Sequence, residues 1–122
     1  MATIRYLVND VNQNIEFYTK QLGFQVGEQW GGAFAKVTRG DLTLWLAGPE
    51  SSAARPMPDG RKPEPGGWNR LVIEVEDLAA LVNRLKGEGV SFRNEIVTGP
   101  GGKQILVEDP SGNVVELFQA AD

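Results

Sequence analysis

The side chains of this chain best suited to chemistry are four aromatics, Phe34, Trp45, Trp68 and Phe118, and the charged residues Arg5, Lys36, Arg70 and Glu116. Indole and phenyl rings offer flat π faces against which a planar ligand stacks, and a few charged groups among them orient its polar parts. Glu116 and Arg70 also form the minimal pair for proton abstraction, with the carboxylate as general base and the guanidinium stabilising a developing oxyanion. Other chemistries are absent from the start. With no Cys there are no disulfides, thiolate metal sites or cysteine nucleophiles, and with no His the commonest metal ligand and the usual general base are missing.

At 122 residues one compact domain is expected, long enough to bury a core without covalent staples. Lys and Arg total 12 against 16 Asp and Glu, a net charge of −4, which opposes the basic face that nucleic-acid binding requires. That acidity steers cations at long range, while the mixed charges among the aromatics leave the sign of a bound ligand open. Residues Met1 to Asp10 lack the apolar run of a signal peptide, and no window approaches the ~20 apolar residues of a membrane span. The expectation is a soluble, cytoplasmic protein without nucleic-acid or membrane partners.

The elements that position these residues follow from periodicity. Thr3 to Val8 is rich in strand formers, and Asp10 stands as cap to a helix with Val11, Ile15, Tyr18 and Leu22 on one face. Gly23 ends that helix, and Phe24 to Glu28, Phe34 to Val37 and Leu42 to Ala47 follow as strands. Gly48 to Gly67 carries five prolines, which bars it from helix interiors and central strands and marks a surface loop, a lid or a linker. After it the order recurs. Trp68 to Glu76 is a strand and Asp77 caps a helix with Leu78, Leu81, Val82 and Leu85. Val90 to Val97, Gln104 to Glu108 and Asn113 to Gln119 are strands, the last two joined by the turn Asp109-Pro110-Ser111-Gly112. Gly99-Pro100-Gly101-Gly102 reads as a turn and not a phosphate loop, because a strand follows it.

Two βαβββ modules thus repeat, residues 1–47 and 68–119, around the loop 48–67, giving an α+β fold with a cleft expected between two curved sheets. Alternation assigns side chains to faces. Leu44 and Leu46 point to the helix side, leaving Trp45 on the cleft side. Thr3, Arg5, Phe34 and Lys36 join it from the first module, and Trp68, Arg70, Glu74, Glu116 and Phe118 from the second. Plainer roles exist for each. Trp68 after Gly66-Gly67 can anchor the loop, Arg70 and Glu116 can be a structural ion pair, Glu74 can be a solvated rim residue, and Phe17 and Tyr18 read as core.

The segments Val8-Asn9-Asp10, Phe17-Tyr18 with Leu22-Gly23-Phe24, and Glu108-Asp109-Pro110-Ser111-Gly112-Asn113 leading into Val115-Glu116-Leu117 resemble the vicinal oxygen chelate superfamily, the glyoxalase/bleomycin-resistance/dioxygenase fold. The resemblance spans nearly the whole chain. It implies that Thr3, Trp45, Arg70 and Glu116 occupy the positions where metalloenzymes of the family carry His, Glu or Gln, His and Glu. Only Glu116 is a plausible ligand, so no metal and no other cofactor is expected. What the resemblance then implies is the family's metal-free branch, homodimeric proteins that sequester antibiotics in aromatic-lined clefts. The expected ligand is a small aromatic or polycyclic molecule, contacted by Thr3, Arg5, Phe34, Lys36, Trp45, Trp68, Arg70, Glu116 and Phe118. The alternatives are a metal-free isomerase, lyase or cyclase with Glu116 as base, and an interaction module that has lost its ligand.

Overall fold

The computed structural model describes residues 2–122. The chain folds into two compact units, Met1–Gly66 and Gly67–Asp122, each an α+β module with its own sheet.

In the first unit β1 (Ala2–Leu7), β2 (Gln25–Trp30), β3 (Phe34–Arg39) and β4 (Leu42–Ala47) form a sheet of order β1-β4-β3-β2. The first strand lies parallel to the last, and the connection between them carries the helix α1 (Val11–Glu16). Asp10 caps α1 as the sequence requires, its Oδ1 accepting from the Gln13 amide at 2.9 Å. From Phe17 to Gln21 the winding widens to a π-type turn, and Gly23, at φ +75°, releases the chain into β2. Tyr18 is fully buried there, edge-on to Phe17 and Phe24 at 5.1 and 5.4 Å between ring centroids. The aromatic motif therefore builds core. With Ala35, Val37, Leu44 and Leu46 also buried, one face of the sheet is closed by α1 and the opposite face is left for Arg5, Phe34, Lys36 and Trp45.

The proline-rich segment has one turn of 3-10 helix at Ser52–Ala54 and otherwise no regular structure. It folds back on its own unit, where Pro49, Pro56, Pro63 and Pro65 face Leu7, Val8 and Ala47 across a cavity of about 370 Å³.

The second unit repeats the plan. β5 (Leu71–Glu74) runs parallel to β9 (Val114–Ala120), which pairs antiparallel with β8 (Gly102–Glu108), and α2 (Leu78–Gly87) follows β5. Asp77 caps α2 through the Ala80 amide at 3.1 Å, and Leu78, Val82 and Leu85 are buried with Ile73, Ile105, Val115 and Leu117. The expected strand over residues 90–97 is the one correction. It is broken into β6 (Ser91–Phe92) and β7 (Val97–Gly99), both paired with β8. The break has a cause in two side chains. Asn94 Oδ1 accepts from the Leu106 amide at 2.9 Å in place of a backbone carbonyl, and Arg93 turns its guanidinium toward Glu108. The 109–112 turn is held as read. Asp109 Oδ1 accepts from the Ser111 and Asn113 amides, both at 2.9 Å, and Gly112 sits at φ +84°. Among the described residues no helix is long and apolar enough to cross a membrane.

Candidate functional site

On the open face of the first sheet the register sets Arg5, Trp45 and Lys36 side by side, because Arg5 pairs with Trp45 across β1 and β4, and Trp45 with Lys36 across β4 and β3. The Arg5 guanidinium lies 4.8 Å from the Trp45 ring centroid and 6.0 Å from that of Phe34. Lys36 Nζ approaches Trp45 at 5.2 Å and Trp30 at 5.9 Å. Trp30 stacks on Phe34 with centroids 5.1 Å apart, and Phe34 stands edge-on to Trp45 at 5.6 Å. These side chains, with Ala33, Ser51 and Ser52, line a cavity of about 360 Å³ within the first unit. Four of the residues named from sequence, Arg5, Phe34, Lys36 and Trp45, are thus brought together. Thr3 lies on the same face, paired with Thr43, but outside the cavity lining.

Trp30 was not legible as part of this site. Strict alternation along β2 puts Trp30 with Val26 and Glu28 on one side. The pairing instead jumps from Val26–Val37 to Gln29–Ala35, a bulge that spends three residues of β2 against two of β3. One extra residue reverses every later side chain. Gln29 turns to the helix side, where its amide donates to Asn12 Oδ1 at 2.7 Å, and Trp30 turns into the cavity, 59% exposed. Gly27 within the bulge is the only sequence cue to it.

On the second unit Arg70 and Glu116 form the ion pair that the sequence suggested. Glu116 Oε1 accepts from Arg70 Nε at 3.1 Å and lies 3.0 Å from Nη2. Glu116 is 8% exposed, sits opposite Val72 and Leu106 in the ladder, and has Phe118 two residues further along β9. Trp68 takes the plainer of its two roles. Its ring is exposed on the outside and covered by the Arg93 guanidinium at 4.5 Å. Arg93 also donates to Glu108 Oε2 at 2.8 Å, Gly67 O at 2.7 Å and Gly112 O at 2.9 Å, which fixes the start of the unit to its last turn. Glu74 is an exposed residue of β5.

The donor set does not fit a divalent cation. Among the described residues no group of three or more His, Cys, Asp or Glu is placed to hold one. In the first unit Thr3 and Trp45 bring no anionic donor. In the second the carboxylate of Glu116 already receives a guanidinium, a permanent positive charge where an ion would have to sit.

The chain belongs to the Glyoxalase/Bleomycin resistance protein/Dioxygenase superfamily, whose family model matches residues 1–117. Comparison with curated proteins gives no match. Solved structures share the fold. TnmS3, an antibiotic binding protein from Streptomyces sp. CB03234, is 27% identical with a TM-score of 0.74, covering 98% of this chain and 93% of its own. Lactoylglutathione lyase from Agrobacterium tumefaciens is 18% identical with a TM-score of 0.74, over 98% of this chain and 92% of its own. The fosfomycin resistance protein FosX from Listeria monocytogenes is 14% identical with a TM-score of 0.74, over 99% and 93% respectively.

Proposed function

We propose that this chain is a metal-independent small-molecule-binding protein of the antibiotic-sequestering kind, a cytoplasmic homodimer that takes a small aromatic or polycyclic ligand. The observation that carries this reading is the cavity of about 360 Å³ on the first sheet, walled by Trp30, Phe34 and Trp45 and edged by Arg5 and Lys36. Its size and its mixture of rings with few polar groups are those of a pocket for a ligand with flat parts. The likeness to TnmS3 points the same way. Binding rather than catalysis is favoured by Glu116, the one carboxylate offered as a base, because its Oε1 is held by Arg70 in two contacts. Trp68, Arg70, Glu116 and Phe118 are proposed to be further ligand contacts on the second unit.

Calorimetric titration of the purified protein with a panel of aromatic antibiotics, with and without EDTA, tests the reading. Saturable binding of at least one compound, unchanged by the chelator, is expected. Absence of binding across the panel, or binding that EDTA abolishes, overturns it.

A further inference from the structure

We propose that the cavity on the first sheet selects ligands that carry a negative charge next to an aromatic ring, with Arg5 and Lys36 as the groups that receive the anion. The proposal rests on the reading of this cavity as a small-molecule site and assigns the chemical class of what fills it.

Three observations carry it. The first is where the charge resides. The net −4 belongs entirely to the second unit: residues 1–66 hold seven basic and seven acidic side chains, and residues 67–122 hold five and nine. The acidity of the whole chain is therefore no guide to the field at a site within the first unit. Second, the cavity lining contains two cations and no carboxylate. A ligand cation entering it would meet like charge at short range with no counter-charge in the wall.

Third, the two cations are held but not neutralised. Arg5 has no carboxylate within ion-pair distance among the described residues. Its guanidinium is positioned by the Trp45 and Phe34 rings, which orient a cation without cancelling its charge. Arg70 and Arg93 differ, each being closed by a carboxylate at 3.1 Å or less. Lys36 has one acidic neighbour, Glu28, at 3.7 Å, and that carboxylate lies outside the cavity lining and is mostly in solvent. Two fixed cations on either side of an indole, with the Ser51 and Ser52 residues in the same wall, make a preorganised anion receiver. The exposed Trp30 ring supplies the apolar surface for the attached aromatic.

The test uses one ring with three charges: 2-naphthoate, 2-naphthamide and 2-naphthylmethylammonium, each titrated calorimetrically into the full chain at low salt. We expect naphthoate to bind at least tenfold tighter than the amide, and the ammonium weakest. Raising the salt should shrink the gap between naphthoate and amide. Arg5→Met and Lys36→Met should each remove most of that gap while leaving amide binding within about threefold, and Arg5→Lys should keep it. Equal binding of the three probes, or tightest binding of the ammonium, overturns the charge selection and leaves the pocket reading standing. Failure of all three probes and of the antibiotic panel overturns both. The comparison of probes on the unaltered protein decides the matter even if a variant fails to fold.

Discussion

The Arg5 guanidinium lies 4.8 Å from the centre of the Trp45 ring, one strand away in the first sheet, and Lys36 reaches the same ring from the other neighbouring strand at 5.2 Å. Trp45 is thus the hub that keeps two like charges apart and in place. Without it the two side chains are long, flexible and mutually repelling.

Trp45→Leu is therefore expected to act on binding more than on folding. Each cation–ring contact at such a partly exposed position contributes about 0.5–1 kcal/mol, and the packing lost is on the open face of the sheet. We expect ligand affinity to fall about tenfold, with the unfolding midpoint within about 3 °C of the unaltered protein. Calorimetric titration and a thermal melt of the same sample check both.

The Arg70–Glu116 pair should behave in the opposite sense. Its carboxylate is buried and its guanidinium partly exposed, so removing the cation alone strands a charge. Arg70→Met is expected to cost about 2–3 kcal/mol in urea unfolding, and Glu116→Gln less, because the amide oxygen still accepts from Arg70. The double variant Arg70→Met with Glu116→Leu should recover more than half of the loss from Arg70→Met. A double variant as unstable as the sum of its parts would show that the pair is not coupled.

The sequence carried the topology because the fold is specified redundantly. Asp10 and Asp77 both cap, Gly23 and Gly112 both take positive φ, and β4 alternates so cleanly that Trp45 could face only one way. The pairing of Arg70 with Glu116 was also legible, since both follow from period-two faces on adjacent strands. Two things were not legible, and both are failures of strict alternation. The β2 bulge moved Trp30 into the cavity, and Asn94 substituted for a backbone acceptor and split the strand over 90–97. Such local departures are fixed by tertiary partners, here Ala35 and Leu106, which the residues themselves do not name.

Arg93 is the residue with the largest structural consequence that no motif announced. It bridges Glu108, Gly67 O and Gly112 O and covers the Trp68 ring, and its side chain is largely out of solvent. We expect Arg93→Met to destabilise the protein by about 2–4 kcal/mol, leaving Glu108 and two carbonyls short of donors. Arg93→Lys should restore less than half of that, because an ammonium lacks the planar fork that meets three acceptors at once. Urea unfolding gives the stabilities. A change in Trp68 emission in native Arg93→Met separates loss of the ring contact from global unfolding.

Gly102 opens β8 at φ +149°, and a Cβ there would run into the Gln119 carbonyl oxygen and lie 3.0 Å from Phe118 Cζ. Backbone is the obstacle on one side, so the strand pair must shift to accept even a methyl group. Its neighbour Gly101 has nothing within 4 Å of the same position and no positive φ. Gly102→Ala is expected to cost at least about 2 kcal/mol and to loosen the start of the β8–β9 ladder, whereas Gly101→Ala should stay within about 0.5 kcal/mol. Urea unfolding ranks the two variants. Amide exchange at Ala120 and Ala121, at the far end of β9, should accelerate in the first variant only. Equal stability of the two would mean that the β8–β9 junction yields freely, and would remove the reason for glycine at 102.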